Sequence, residues 1–145
     1  SRLGFLQNAR IYAIAARGSA ALAVAAHAPR GSTEQKRFGV IAAKAAKRLM
    51  NERARWAEGQ ASLLAAGISA IAGRDVETIR CLEVAIAAFD DTHMALHAAV
   101  ARRCLGGRIR GDEGRERKNA AEAFMRSEAI SNPEGTVAAF APGMS

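Results

Sequence analysis

The sequence predicts an all-α fold of helical hairpins stacked in series, and three observations lead there. Apolar residues recur at three- and four-residue spacing along most of the chain, the period of a helix face. Half of the chain is apolar but only 5% is aromatic, and alanine, the best helix former, dominates the apolar set. The period-2 alternation of β-branched residues that marks strands is absent. At 145 residues the chain is one domain long and can bury a real core. About six helices and a short C-terminal one are expected. They pair as hairpins over about 3–51, 55–90 and 92–128, with a tail over 129–145.

The first helix is expected from about Leu3 to His27, with Phe5, Ala9, Tyr12, Ala16 and Ala20 on one face and a weak point at Gly18-Ser19. Pro29-Arg30-Gly31 ends it. Ser32 or Thr33 then caps a second helix, with Gln35 placed as in a capping box. That helix runs to about Asn51 on an inner face of Phe38, Ile41, Ala42, Ala45 and Leu49. A turn at 52–54 leads to the next helix near Trp56, whose indole is expected to pack on the preceding helix end.

The stretch Gln60–Met94 reads as two short helices about the turn Gly73-Arg74-Asp75. Leu64, Ile68 and Ile71 form an apolar face in the first; Ile79, Leu82, Ile86 and Phe89 form one in the second, and the two are expected to meet. Asp91 or Thr92 is read as the cap of a further helix through Leu105, with Met94, Ala98, Ala101 and Leu105 inward. The glycines from 106 to 114 read as a loop. A helix over about 115–128 follows, with Ala120, Ala123 and Phe124 as its apolar side. Asn132-Pro133 suits a cap and first turn, and the last helix ends at Phe140 before Pro142-Gly143.

A hairpin of this length cannot bury its apolar faces alone and needs neighbours built the same way, which is the logic of helical repeats. The expected starts near Trp56 and Thr92 lie 36 residues apart, near the tetratricopeptide period of about 34. Trp56-Ala57, Leu63-Leu64-Ala65-Ala66-Gly67, Gly73-Arg74-Asp75, Leu82-Glu83-x-Ala85 and Phe89 together resemble tetratricopeptide-like units. A narrower likeness follows from Met94-Ala95-Leu96-His97-Ala98-Ala99-x-Ala101-Arg102-Arg103-x-Leu105-Gly106 and Gly111-Asp112-Glu113-Gly114-Arg115. The ending Ala123-Phe124-Met125, Ile130-x-Asn132-Pro133 and Ala141-Pro142-Gly143 extends it. From Trp56 to Gly143 the chain resembles the C-terminal region of large bacterial serine/threonine protein kinases of the myxobacterial type. Arg108-Ile109-Arg110 widens the loop relative to that pattern.

The resemblance implies a C-terminal fragment of a longer protein whose kinase domain lies N-terminal, in the cytoplasm. The chain has no Gly-rich loop with a VAIK-type lysine, no HRD and no DFG, so no catalytic residue carries over. The implied role is a non-catalytic protein–protein interaction or regulatory module, acting on a protein or peptide partner or on the parent's own kinase domain. Self-association through the first hairpin is a further expectation. The alternative is the helical-repeat sensor region of a multidomain transcriptional regulator or signalling ATPase.

Charge supplies the candidate site. The net charge is +7, and residues 30–55 concentrate it, with eight basic residues against Glu34 and Glu52. Residues 56–91 carry two basic against six acidic, and 101–118 seven against three. Arg37, Lys44 and Arg48 recur at i, i+7, i+11 on one side of the second helix. A solvated face is the simplest reading, a partner surface the next. Nucleic acid is disfavoured because interleaved aromatics and a reading motif are missing.

The remaining candidates read as structural. His93 and His97 stand four apart, a metal-clamping spacing on a helix, but HMALH lacks the HExxH glutamate and Cys104 is about 10 Å further along. No metal or cofactor is therefore expected, and a small helical enzyme or metal protein is disfavoured. Asp90-Asp91 and Asp112-Glu113 read as helix-start carboxylates. Cys81 and Cys104 read as buried, reduced thiols. Uninterrupted apolar runs stay short of the ~20 residues that span a bilayer, and no signal-peptide pattern opens the chain.

Overall fold

The turns set the architecture. In a computed structural model, which describes residues 2–128 and 133–144, the helices are α1 (Arg2–His27), α2 (Thr33–Asn51), α3 (Arg55–Ile71), α4 (Asp75–Asp91), α5 (Ala95–Arg108), α6 (Asp112–Ser127) and α7 (Pro133–Phe140). No strand occurs among the described residues. From α2 to α6 each connection is three residues, and every connection from α1 to α6 holds one left-handed residue: Gly31, Arg53, Gly73, His93 and Gly111. α3 and α4 end alike. Arg74 N–H donates to the Ser69 carbonyl at 2.9 Å and Gly73 N–H to Ala70 at 3.0 Å. Met94 and His93 repeat the pair on Phe89 and Asp90, at 2.9 and 3.2 Å. Both ends are Schellman motifs, which satisfy orphan carbonyls and reverse the chain in few residues.

The helices pack as three antiparallel hairpins, α1/α2, α3/α4 and α5/α6, each contacting the next in order. The expected all-α stack of hairpins is thus present. α3 and α5 start 40 residues apart rather than 36, because α4 runs on through Asp91 before its turn. Ser32 caps α2 through its Oγ, accepting from Gln35 N–H at 3.1 Å. The Gln35 side chain reaches back to Gly31 N–H at 2.9 Å, one residue earlier than a capping box would place it. Ion pairs close the first two hairpins at corresponding places. Arg10 grips Glu52 at 2.6 and 2.7 Å, and Arg55 holds Asp91 at 2.8 Å.

Several faces differ from expectation, and alanine is the reason. α1 buries Ile11, Ile14, Ala15, Ala21, Leu22 and Ala25, while Phe5, Tyr12, Ala9, Ala16 and Ala20 are exposed. An alanine-rich helix satisfies apolar spacing on more than one side, so bulk decides which side buries more area. α1 is unbroken at Gly18, where a Cβ would stand 2.6 Å from Leu64 and 2.9 Å from Ala45. The glycine admits the neighbouring helices. Leu64, Ile68 and Ile71 pack toward the first hairpin; Leu63 and Ala66 join Leu82, Ala85 and Phe89 of α4. α6 buries Ala121 and Met125; Ala120 and Ala123 are exposed and Phe124 is half-buried.

Two boundaries also move. Asp91 and Thr92 finish α4 and do not cap α5; the Thr92 hydroxyl donates to the Ala88 carbonyl at 2.8 Å. Asp90 and Asp91 therefore stand at a helix C-terminus, where the dipole opposes them, and Arg102 and Arg55 from neighbouring helices offset that. Gly106 and Gly114 lie inside α5 and α6, not in a loop. A Cβ on Gly106 would meet Lys118 N at 2.8 Å and Gly114 O at 2.9 Å, so the two backbones touch. Asp112 and Glu113 do open α6, as expected. Asn132 lies outside the described residues.

α1 as a whole is long and apolar enough to cross a membrane by length and composition, with Arg10 and Arg17 its only cations between residues 3 and 26. Those two arginines keep each uninterrupted apolar run short. In the fold, one side of α1 is buried on α2 and α3.

Candidate functional site

Three surfaces carry the features a partner would meet. The first is the basic side of α2. Arg37, Lys44 and Arg48 are all exposed there, as are Lys36 and Lys47. Among the described residues, none of the five has a carboxylate within ion-pair distance. Arg37 lies over its neighbour Phe38, 5.7 Å from the ring centre, and Arg48 helps Arg10 hold the Glu52 carboxyl below its ordinary pKa. The helix brings the three expected residues to one side. Their geometry is that of a solvated cationic stripe.

The second surface is a cleft of about 640 Å³ between α4 and α6, floored by α5. Ile86 and Ala87 form one wall, Ala120, Ala121 and Phe124 the other, with Ala95 and Ala99 below. Charges sit at its edge: Glu83 and Asp90 on α4, Arg102 on α5 and Arg117 on α6. Arg102 bonds Asp90 at 2.5 Å, and Arg117 bonds Glu113 at 2.8 Å within α6. An apolar trough with a charged rim suits an amphipathic helix or peptide laid along it. Ala120 and Phe124 belong to the apolar side expected of this helix from spacing. That spacing was the one signal available, and it does not show that a cleft forms there.

The third surface is the side of α1, α3 and α5 on which residues 133–144 lie. Phe140 stacks on His97 of α5, ring centres 4.8 Å apart, and His97 meets Phe89 at 5.2 Å on its other side. A Cβ on Gly67 of α3 would meet the Pro142 carbonyl oxygen at 3.0 Å. Gly143, left-handed, rests on Ile71 of α3 and Ala26 of α1. Val137, Ala141 and Met144 are buried. Trp56, half-buried, pairs with Tyr12 of α1 at 4.8 Å and packs against the apolar cluster that also holds Leu49 near the end of α2.

The histidines do not form a metal pair. His93 is the left-handed residue of the α4–α5 turn, outside either helix, and His97 is enclosed by aromatic rings. No group of three or more metal-ligating side chains occurs among the described residues. Burial lowers the His97 pKa and pushes the Cys104 thiol up to about 11, against Arg103 and Arg108, which draw it down. Burial and the Glu77 carboxylate raise Cys81. Both thiols are unpaired and buried, so neither is a ready nucleophile at neutral pH. Among the described residues Arg103 is the most buried charge, bonded to Glu122 at 2.9 Å with Glu134 of α7 at 3.7 Å.

Comparison with known proteins finds no matching family model, no matching curated protein and no matching solved structure.

Proposed function

We propose that this chain is a non-catalytic interaction module that receives an amphipathic helix or peptide of a partner protein in the cleft between α4 and α6. The observation that supports this is the cleft itself: an apolar floor of alanines, a phenylalanine wall and rim charges of both signs. Apolar anchors at i, i+3 or i+4 and i+7 would fill such a trough, and the rim would set orientation. The cationic stripe of Arg37, Lys44 and Arg48 then acts as a second, long-range contact that speeds encounter with an acidic partner. The resemblance from Trp56 to Gly143 supports placing the module C-terminal to a bacterial serine/threonine kinase domain in the cytoplasm, where the partner is a separate protein or that kinase domain.

The test is affinity capture from the source cell's lysate with the wild type and two variants. Ala87→Arg/Ala120→Arg fills the cleft from exposed positions; Arg37→Glu/Lys44→Glu/Arg48→Glu reverses the stripe. A discrete protein retained by wild type, lost with the cleft variant and weakened by the stripe variant in low salt is the expected result. Recovery of nucleic acid alone, stripped by moderate salt, would overturn the reading.

A further inference from the structure

We infer that the face shared by α1, α3 and α5 is a second peptide groove, and that residues 133–144 occupy it as a displaceable internal ligand. The proposal is independent of the α4–α6 cleft, which lies away from the tail.

The tail is built like a bound peptide. Its helix has eight residues, too few to persist alone, and it is anchored by a small set of apolar groups: Val137, Phe140, Ala141 and Met144. It runs antiparallel to α5, with Glu134 near Arg103 and Phe140 on His97. It then doubles back through Pro142-Gly143 across α3 to the end of α1. The floor is close-set where the tail crosses it: a side chain at Gly67 would press on Leu22 of α1 and also on the Pro142 carbonyl oxygen, at 3.0 Å. Beside Phe140 a hollow of about 200 Å³ stays open, lined by Tyr12, Ala16 and Ser19 of α1 and Gln60 of α3. The groove is therefore larger than its occupant. Glu134 of α7 pairs with Arg103 at 3.7 Å, a long contact with the Glu134 side chain 82% exposed. A segment so anchored belongs to the low-stability end of a fold and opens without global unfolding. The occupant that competes for the groove is a partner's apolar segment with anchors spaced like Val137, Phe140 and Met144.

Cys104 reports the opening. It lies seven residues after His97, on the same side of α5, and lines a cavity together with Glu134 and Met144. Cys81, on α4, does not line that cavity. The full chain carrying Val137→Asp/Phe140→Asp is treated with N-ethylmaleimide, and each cysteine's alkylation rate is read by mass spectrometry. Cys104 is expected to react at least about tenfold faster than in wild type while Cys81 keeps its native rate. A synthetic peptide of residues 133–144 is expected to bind this variant at 1:1, to restore protection of Cys104, and to bind wild type at least about tenfold more weakly. In wild type, rising urea is expected to expose Cys104 before Cys81. Acceleration of both cysteines together, or their simultaneous exposure in urea, would make the tail part of the cooperative core and overturn the proposal. So would a protected Cys104 in the variant, or failure of the peptide to restore protection.

Discussion

The first and last hairpins solve the same packing problem by different means. α1 and α2 meet through side chains: Ile11, Ile14, Leu22 and Leu49 fill the space between them, and the close approach at Gly18 is to the Ala45 methyl and the Leu64 side chain, not to backbone. α5 and α6 touch backbone to backbone at Gly106 and Gly114, and their buried ion pair, Arg103 with Glu122, stands where the first hairpin has aliphatic side chains. Bulk is forgiving, because a core of methyl groups can shift by fractions of an ångström and stay packed. A backbone contact has no flexible end to move, and a buried charge pair has no second partner of equal worth. The last hairpin is thus fixed in register and intolerant of change. The first is free to bear an exposed cationic face.

Glycine substitution separates the two regimes most widely. A Cβ on Gly114 would collide with the Ile109 carbonyl oxygen, whereas Gly39, in the middle of α2, has open space around it. Gly114→Ala is expected to lower unfolding stability by more than about 2 kcal/mol. Gly39→Ala should raise it by about 0.5–1 kcal/mol, since alanine gives up less backbone freedom in a helix. Urea denaturation of both variants checks the pair of signs. Equal losses would show that the two hairpins are not packed differently after all.

Charge removal gives the next largest contrast. Arg103→Met keeps much of the volume but leaves Glu122 only its longer pair with the exposed Arg126 at 3.4 Å, and a loss of about 2–3 kcal/mol is expected. Arg10→Met breaks the bidentate pair with Glu52, but the arginine side chain there is 53% exposed, and solvent screening leaves only a small effect. The same denaturation curves test both, and restoring most of the loss with Arg103→Met/Glu122→Leu would tie it to the under-compensated carboxylate.

Much of the fold was legible in the sequence because helix ends are written in local chemistry. Ser32, Gly73 and Pro133 mark boundaries that caps and turns enforce, and the structure places them so. Which face turned inward was less legible. Phe5, Tyr12 and the alanines of α1 have the spacing of a buried face, yet Ile11, Ile14 and Leu22 bury more apolar area on the other side. Glycine was the most ambiguous letter: Gly73 and Gly111 mark turns, while Gly106 and Gly114 mark helix contact, and nothing within either helix distinguishes them. The expected partner residues Arg37, Lys44 and Arg48 do share one side of α2, which follows from spacing alone. The α4–α6 cleft and the tail's groove arise where separate helices meet, and no local pattern announces them.

His97 turns the comparison into a pH effect confined to the α5 side. Its ring lies between Phe89 and Phe140, and burial lowers its pKa below the ordinary value of 6.5. The neutral form is the one the fold favours. Above pH 6.5 folded and unfolded chains both carry it neutral, and the residue leaves stability unchanged. As pH falls below 6.5 the unfolded chain takes up a proton that the folded chain refuses, so stability declines. Tm is expected to drop between pH 7 and 5.5. In His97→Gln that part of the slope should vanish; an unchanged slope would assign it to other groups.

The smallest effect concerns the turns that the two Schellman ends share. Gly73 and His93 occupy the same left-handed place after α3 and α4, with φ of 73° and 56°. Glycine adopts that conformation without strain, whereas a side chain crowds the neighbouring carbonyl there. His93→Gly removes that strain but also loosens the unfolded chain, and the two changes oppose each other. A net gain of about 0.5 kcal/mol is expected, because the strain is the larger of the two. The mirror change, Gly73→Ala, imposes the strain without an exposed polar side chain to bond locally, and a loss of about 1 kcal/mol follows. Opposite signs at two positions with matching hydrogen bonds would establish that backbone conformation, and not the histidine's chemistry, decides what residue 93 contributes. A loss at His93→Gly would instead give the imidazole a contact of its own.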